Sequence, residues 1–323
     1  MGSTLMYKAI VTGATGGLGR NLCEFLVEKN WEVLAFGRNE SIGSQLDCRF
    51  KAFDLTSTEE TIKAFESADI VFHCAALSSP WGSYGDFYMH NVEATKNVIK
   101  AMYQYNIKKL VHVSTPSIYF NFTHQININE EYIPQKFVNS YAKTKYLAEQ
   151  EVLNSSLHTV IIRPRGIFGE YDSVLVPRLE KLADKGFLPL IEGYDPLIDV
   201  TYVGNVVYAM YLCATKDIAD KSIFNITNDE PIQISELFKM VMETIDKNPK
   251  YKKISYIKMM TIAKVMEFLS KCGIGKEPLV TQYGVGVMSY DQTLDLTRAK
   301  EELGYKPIVS IKEGLKRYAK SRN

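Results

Sequence analysis

The segment VTGATGGLGR, residues 11–20, determines the fold expected for the N-terminal half of this chain. It follows an apolar run at residues 7–11 and leads into a helical pattern at residues 18–29. A tight glycine turn at such a junction lets a nucleotide pyrophosphate approach the backbone and the N-terminus of the helix. An isolated glycine pattern is equally typical of an ordinary strand-to-helix turn. The residues predicted to hold the pyrophosphate are Gly13, Thr15, Gly16, Gly17, Leu18 and Gly19.

The pattern downstream favours the nucleotide interpretation. Short apolar runs at residues 8–12, 32–36, 49–53, 70–74, 109–114 and 159–163 alternate with helical patterns such as 92–105, which is typical of βαβ units. The predicted fold is α/β, a doubly wound parallel (Rossmann) sheet with a smaller, interleaved C-terminal substrate lobe. The dinucleotide lobe is predicted over residues 1–165, with parts of about 191–227 returning to it, and residues 166–323 mostly form the substrate lobe.

Composition excludes several classes of protein. The 323 residues include 46% hydrophobic and 23% charged residues, as in globular proteins, and a net charge of +1 gives no global attraction to nucleic acid. The five cysteines have no CxxC spacing, which predicts reduced thiols and a cytoplasmic protein. The five histidines show no ligand spacing, so no metal is expected. No apolar run reaches the roughly 18 residues of a spanning helix.

The end of the second predicted strand bears on cofactor choice. Gly37 and Arg38 stand where an NAD-preferring protein usually carries an acidic residue, and no acid there competes for the arginine. Arg38 can therefore pair with a 2′-phosphate, which predicts NADP(H), with NAD(H) as the alternative. An exposed arginine without a ligand is the other interpretation. Asp54 and Leu55 are predicted near the adenine, and Ala75 and Ala76 near the cofactor ribose.

The segment YAKTK, residues 141–145, supplies the candidate catalytic pair. Within a helical pattern at 140–153, a spacing of four places Tyr141 and Lys145 on one face. A tyrosine normally titrates near pH 10, and a neighbouring cation is expected to lower that pKa, so that the phenol can exchange a proton near neutrality. The hydroxyl of Ser114 or Thr115 is expected to orient the reacting oxygen. An isolated YxxxK is as often two exposed helix residues.

Together these motifs resemble the extended short-chain dehydrogenase/reductase family, also called the NAD-dependent epimerase/dehydratase family. The resemblance extends through RPRGIFG at 163–169, DVTYVGNVVYA at 199–209 and TRAKEELGYKP at 297–307. It implies a catalytic centre of Thr115, Tyr141 and Lys145, contact of Lys145 with the nicotinamide ribose, and Pro164 and Ile167 beside the nicotinamide ring. It also implies a homodimer.

Within that family, AALSSPWGSYGDFYMHNVEAT at residues 75–95 is similar to the branch of 3β-hydroxysteroid dehydrogenases and 2-alkyl-3-oxoalkanoate reductases. The branch implies an NADP(H)-dependent oxidoreductase that interconverts a 3-oxo and a 3-hydroxy group on a small, hydrophobic, lipid- or steroid-like substrate. The candidate substrate residues are Trp81, Tyr84, Ser117 and Arg165, although the two aromatic side chains could equally fill the core. A nucleotide-sugar epimerase or dehydratase with tightly held NAD, and a non-catalytic NADP-binding regulator, are the alternatives.

One late segment leaves two interpretations open. Residues 256–269 combine methionine, isoleucine and phenylalanine with lysines at 258 and 264. Such a helix can cover an apolar pocket or make peripheral contact with a membrane surface. It can equally pack as an ordinary amphipathic helix on the smaller lobe.

Overall fold

The computed structural model describes residues 6–79, 81–274 and 278–322. The strands are β1 Lys8–Thr12, β2 Glu32–Gly37, β3 Arg49–Ala52, β4 Ile70–His73, β5 Lys109–Val113, β6 Gln125–Ile128, β7 His158–Pro164, β8 Ile167–Phe168, β9 Phe187–Ile191, β10 Leu197–Ile198, β11 Thr201–Tyr202, β12 Ser222–Ile226, β13 Ile232–Gln233, β14 Lys250–Ile254 and β15 Gln292–Leu294.

The helices are α1 Gly17–Glu28, α2 Glu40–Gly43, α3 Thr58–Ala64, α4 Tyr84–Phe87, α5 Ala94–Gln104, α6 Ser140–Leu153, α7 Leu175–Ala183, α8 Val203–Thr215, α9 Ile234–Thr244, α10 Tyr256–Lys271, α11 Gln282–Val287, α12 Thr297–Glu301 and α13 Ile311–Ser321. A π-helical turn, Tyr88–Glu93, joins α4 to α5, and a 3₁₀ turn, Pro116–Tyr119, follows β5. In the described part of the chain no helix is long and apolar enough to cross a membrane.

Seven parallel strands form the main sheet in the order β3-β2-β1-β4-β5-β7-β12. The chain winds outward from β1 in one direction and then, from β4, in the other. Ligands of such sheets bind where the direction reverses, outside the carboxyl ends of the strands. The predicted doubly wound fold is confirmed, and the six predicted strands are present with ends that differ by at most one residue. The seventh, β12, comes from the C-terminal half.

Helices cover both faces of this sheet, which explains why its strands are nearly continuous apolar runs. Along the central strands, buried side chains alternate between two cores. One core contains Ile10, Val71, Leu110 and Ile161. The other contains Val11, Phe72, Val111 and Ile162.

A second, four-stranded sheet has the order β13-β10-β15-β6. Three of its strands come from the range predicted for the substrate lobe, whereas β6 lies within residues 1–165. A separate apolar cluster, which includes Phe168, Val200, Leu237 and Leu315, packs this half of the molecule. The chain therefore passes between the two sheets several times.

Candidate active site

At two positions of the β1–α1 loop, neighbouring backbone atoms leave no room for a side chain, so that only glycine fits. Gly13 has a φ of +70°, and a Cβ there would lie 2.7 Å from the backbone nitrogen of Ala75. A Cβ on Gly19 would lie 2.3 Å from the carbonyl oxygen of Gly13. Both distances are well below van der Waals contact. These glycines hold the loop against β4 and against the first turn of α1.

Gly16 differs, because it faces open space. A Cβ on Gly16 would meet only the carbonyl oxygen of Gly13, at 3.4 Å. Gly16 is also the N-cap of α1, which has no side-chain cap and no acidic residue in its first turn. Uncapped amides at a helix N-terminus attract anions. The loop that contains Gly17 and Leu18 therefore fits a pyrophosphate.

Arg38 and Asp54 meet at the carboxyl ends of β2 and β3. A guanidinium nitrogen of Arg38 lies 3.7 Å from a carboxylate oxygen of Asp54, and the two side chains are 62% and 39% exposed. The expectation that no acid competes for Arg38 is therefore wrong, because β3 brings Asp54 beside it. An exposed pair of this kind contributes little energy, so the arginine can still turn to a phosphate. The side chain of Thr15 packs against Gly37, just before Arg38.

The other predicted cofactor residues lie along the same edge of the sheet. The amide of Ala75, after β4, donates to the hydroxyl of Thr12 at 3.3 Å, and Ala76 follows it in the chain. Leu55 is buried after β3. Pro164 ends β7, and Ile167 begins β8. All of them follow or border the carboxyl ends of the parallel strands.

The catalytic candidate Tyr141 lies in the first turn of α6. The helix begins there because the side chain of Asn139 accepts the amide hydrogen of Ala142 at 2.8 Å. Burial raises the pKa of the Tyr141 phenol, and hydrogen bonds with Thr115 and Ser78 oppose that rise. The expectation that a neighbouring cation lowers this pKa overall is wrong in this structure, because burial has the larger effect. Ser78 was not predicted; it lies on the segment after β4.

Lys145 lies one helical turn further on, in the interior. Its ammonium group donates to the carbonyl oxygen of Val113 at 2.6 Å, at the end of β5. Burial lowers its pKa from 10.5 to about 8, and the carboxylate of Glu149 opposes part of that change. The ammonium is therefore held beside the last residue of β5, next to the two candidate hydroxyls.

The structure distinguishes between those two hydroxyls. Thr115 lowers the pKa of the Tyr141 phenol and donates to the hydroxyl of Ser117 at 3.1 Å. The hydroxyl of Ser114 is buried and has no hydrogen-bond partner among the described residues. Ser117 in turn lies 3.0 Å from the hydroxyl of Tyr283 on α11. A chain of hydroxyls thus runs from Thr115, after β5, through Ser117 to Tyr283 on α11.

Of the other predicted substrate residues, Arg165 is buried and Tyr84 is exposed. Arg165 follows β7, is 7% exposed, and donates to Gln292 on β15. Tyr84 is 43% exposed, and the ammonium of Lys143 lies 5.1 Å from its ring centroid. The ammonium of Lys271, at the end of α10, lies 5.9 Å from the ring centroid of Trp81. Trp81 is therefore close to the late apolar helix.

A buried polar network, which the sequence did not suggest, connects the glycine-loop strand to α6. His73 contacts Thr12 at 2.7 Å through Nδ1 and Thr95 at 2.9 Å through Nε2. Thr95 donates to the carbonyl oxygen of Asn91, whose side-chain amide donates to Thr144 at 3.0 Å. Asn91 lies in the π-helical turn, and such turns often mark functional sites. A helical pattern starting at residue 92 gives no sign of it.

The fold is that of the extended short-chain dehydrogenase/reductase class, and the chain is an NAD(P)-dependent oxidoreductase of this class. More closely, the chain belongs to the 3-beta hydroxysteroid dehydrogenase/isomerase family, whose profile matches residues 10–256. The resemblance inferred from the sequence motifs is thereby confirmed.

Three similar proteins illustrate the relationship. The chain is 32% identical to a 2-alkyl-3-oxoalkanoate reductase of Shewanella oneidensis over 96% of this chain and 84% of that protein. It is 32% identical to the 3beta-hydroxysteroid-dehydrogenase/decarboxylase isoform 1 of Arabidopsis thaliana over 95% of this chain and 78% of that protein. The structure of a UDP-glucose 4-epimerase from Thermotoga maritima superposes with a TM-score of 0.76 at 22% identity, covering 98% of both chains.

Proposed function

We propose that this protein is an NADP(H)-dependent oxidoreductase that interconverts a 3-oxo and a 3-hydroxy group on a hydrophobic, lipid- or steroid-like substrate. The observation that carries the proposal is the placement of Tyr141, at the start of α6, close enough to Thr115 for that side chain to lower the pKa of the phenol, while Lys145 is held at the end of β5. The buried ammonium of Lys145, one helical turn from Tyr141, completes the group.

Each of these side chains has a distinct part in the proposed reaction. The bound nicotinamide supplies or accepts the hydride. In reduction, the phenol of Tyr141 gives its proton to the substrate oxygen, and in oxidation the phenolate takes it back. The hydroxyl of Thr115 orients that oxygen. The ammonium of Lys145 stabilises negative charge near the phenol, and a buried site strengthens this interaction.

The cofactor assignment rests on the glycine loop and Arg38. The open face at Gly16 and the uncapped N-terminus of α1 fit a dinucleotide pyrophosphate. Arg38 is exposed and placed after β2, where it can bind a 2′-phosphate in addition to Asp54. We therefore assign NADP(H) as the preferred cofactor, with NAD(H) as a weaker one.

The substrate class rests on the relatives and on the lining of the cleft. The two relatives described above are named for a 3-oxoalkanoate and a 3β-hydroxysteroid, which share an oxygen at a position 3 and a large apolar body. One apolar neighbour of the half-buried Tyr141 is Phe87, whose ring centroid lies 6.2 Å from that of Tyr141. We propose residues 1–165, with parts of 191–227, as the dinucleotide lobe, and most of 166–323 as the substrate lobe.

An apolar surface near the cleft suits access by a lipid-like substrate. On α10, Ile257 is 76% exposed and Phe268 66% exposed, and the preceding strand β14 exposes Lys250, Lys252 and Lys253. Exposed apolar side chains next to lysines are typical of a peripheral contact with anionic lipid. We propose that α10 makes this contact. Co-sedimentation with phosphatidylglycerol vesicles should fall for Phe268→Glu, and equal binding of the variant would contradict the proposal.

The homodimer that the family implies is tested by light scattering.

The activity is tested by following NADPH absorbance with a panel of 3-oxo acyl compounds and 3-oxosteroids. We expect turnover of at least one of them. Turnover of none of them, together with interconversion of a UDP-sugar by protein that retains NAD, would overturn the proposal in favour of an epimerase.

The role of Tyr141 is tested by Tyr141→Phe, which removes only the phenolic hydroxyl. We expect turnover to fall by about 10²–10⁴-fold, the usual contribution of a positioned proton donor, while NADPH still binds. Tyr146→Phe is the matched control, because Tyr146 lies on the same helix and packs against Phe137 at 5.1 Å between ring centroids. Equal activities of the two variants would exclude Tyr141 as the proton donor.

A further inference from the structure

We infer that Tyr283 is a positioning residue of the proposed active site, and that it directs the hydroxyl proton of Thr115 toward the reacting oxygen of the substrate through Ser117. The inference rests on the proposed function, because it uses the role given there to Thr115. It adds a part for the short helix α11, which carries Tyr283 and lies outside both the glycine loop and the Tyr141–Lys145 motif.

The hydroxyl of Thr115 has one proton, and in this structure that proton is given to Ser117. Oγ1 of Thr115 donates to Oγ of Ser117 at 3.1 Å and accepts the amide hydrogen of the same residue at 3.2 Å. A threonine hydroxyl offers one O–H donor and two acceptor sites. As long as this donation persists, the proton of Thr115 points away from a substrate oxygen. The bond to Ser117 therefore has to reverse before Thr115 can donate to the substrate.

Tyr283 provides the donor that permits this reversal. Its hydroxyl oxygen lies 3.0 Å from Oγ of Ser117, and either atom can be the donor. A phenol is a better hydrogen-bond donor than the less acidic hydroxyl of serine. When Tyr283 donates to Ser117, the hydroxyl of Ser117 can donate to Oγ1 of Thr115, whose proton then points to the substrate. Only the three hydroxyl groups rotate, so every proton stays on its own oxygen and no covalent bond is made or broken.

The reversed chain strengthens the hydrogen bond that Thr115 makes to the substrate. Hydrogen bonds in series polarise one another. During reduction, negative charge develops on the substrate oxygen, so a polarised donor stabilises the transition state more than the bound substrate. Removing the donor at the far end of the chain should therefore slow hydride transfer and leave the affinity for substrate nearly unchanged.

Two further contacts hold Tyr283 in the position that this role requires. Its ring packs edge-on against the buried ring of Phe120, with 5.5 Å between the ring centroids. On α10, the carboxylate of Glu267 accepts a hydrogen bond from the backbone amide of Gln282 at 2.7 Å and one from its side-chain amide at 2.6 Å. Gln282 directly precedes Tyr283. The start of α11 is therefore anchored to α10, and the phenol is held beside Ser117.

The first experiment measures the chemical step directly. Single-turnover oxidation of NADPH is followed by stopped-flow absorbance with the best substrate of the 3-oxo panel, for the wild type and for Tyr283→Phe, which removes only the hydroxyl. We expect the rate at saturating substrate to fall about 3–10-fold, the size expected for one neutral hydrogen bond. The substrate concentration that gives half of that rate, and the binding of NADPH, should be unchanged.

Tyr290→Phe is the matched control. Tyr290 also packs against Phe120, at 6.4 Å between ring centroids, but its hydroxyl donates to Tyr256 and not to the chain. We expect the wild-type rate for this variant. An unchanged rate for Tyr283→Phe, or a change only in the half-saturating concentration, would overturn the inference and leave the proposed function intact. Turnover of no compound of the panel by the wild type would overturn both.

The second experiment distinguishes positioning of Thr115 from a purely structural role. If Tyr283 only held α11 against the loop after β5, Tyr283→Phe would lower the rate by the same factor in any background. We expect no further loss in a Thr115→Val background, because no hydroxyl is left to direct. In a Thr115→Ser background, which keeps a hydroxyl, the loss should persist. Thermal unfolding establishes that each variant is folded, and equal losses in the valine and serine backgrounds would overturn the inference.

Discussion

Glu149→Gln tests whether one buried ion pair holds the catalytic helix against the sheet. Glu149 lies on α6, one turn beyond Lys145, and its carboxylate accepts two hydrogen bonds from Arg163 on β7, one of them at 3.1 Å. The side chains are 1% and 4% exposed. The guanidinium also donates to the carbonyl oxygen of Glu130 at 3.1 Å. The ion pair between Arg163 and Glu149 therefore links β7 to α6.

The magnitude follows from what the substitution leaves behind. Removing one member of a buried pair costs about 3–5 kcal/mol, because the other charge stays buried without compensation. Glutamine keeps the shape and one acceptor oxygen, so we expect the lower end, about 3 kcal/mol. At about 2 °C per kcal/mol, as for larger domains, the melting temperature should fall by about 6 °C.

Urea unfolding followed by circular dichroism measures the change, and Glu151→Gln is the control. Glu151 is on the same helix, but it is 42% exposed and pairs with Lys96 at 3.6 Å, so its loss should cost less than about 1 kcal/mol. In an Arg163→Met background the sign should reverse: Glu149→Gln then removes an unpaired buried carboxylate and stabilises the protein. If Glu149→Gln and Glu151→Gln lower the free energy of unfolding by equally small amounts, the Glu149–Arg163 pair does not hold α6 against the sheet.

Three further predictions concern the cofactor and the proton chemistry. Gly16→Ala should weaken NADPH binding and leave the melting temperature of the cofactor-free protein nearly unchanged. Gly13→Ala should weaken NADPH binding and also lower that melting temperature, because a Cβ at Gly13 clashes with backbone. Thermal unfolding with and without NADPH distinguishes the two effects. Arg38→Ala should raise the KM for NADPH by about 10–100-fold and that for NADH much less, and an equal effect on both would contradict binding of the 2′-phosphate. In reduction assays, kcat/KM should fall as pH rises through about 8, where Lys145 loses its charge. Lys145→Arg should remove that fall, because a guanidinium stays protonated; a fall that is unchanged in this variant would assign the titration to another group.

The position of the candidate cofactor residues at the carboxyl edge of the sheet could be predicted because the signals in the sequence are local. The glycine loop, Arg38 and the Tyr141–Lys145 pair each lie within a few residues at the carboxyl end of a predicted strand or at a helix start, and the parallel sheet brings these ends together. Two predictions about charge were wrong: that no acid lies beside Arg38, and that a cation lowers the pKa of Tyr141. Asp54 follows a different strand from Arg38, and only the β2–β3 register brings them together. The rise in the pKa of Tyr141 comes from burial, which no spacing reveals.

The substrate half could be predicted only in outline, because its contacts span most of the chain. Tyr283 reaches Ser117 from 166 residues away, and Gln292 reaches Arg165 from 127 residues away. Neither belongs to a motif: Tyr283 lies on the short helix α11, and Gln292 lies on β15 of the second sheet. Tyr84 is exposed beside Lys143, which excludes the interpretation that it fills the core; its contact with substrate stays a prediction.

The buried hydrogen bonds of His73 connect β1, which leads into the glycine loop, to α5. Burial lowers the pKa of His73 to about 3, with a smaller contribution from the Lys145 charge, so the imidazole stays neutral at physiological pH. A neutral ring has one donor and one acceptor nitrogen, which matches its two threonine partners, Thr12 and Thr95. Protonation would require both partners to accept and would place a second cation near Lys145. Neutral His73 therefore links β1 to α5 without competing for the negative charge that forms at Tyr141.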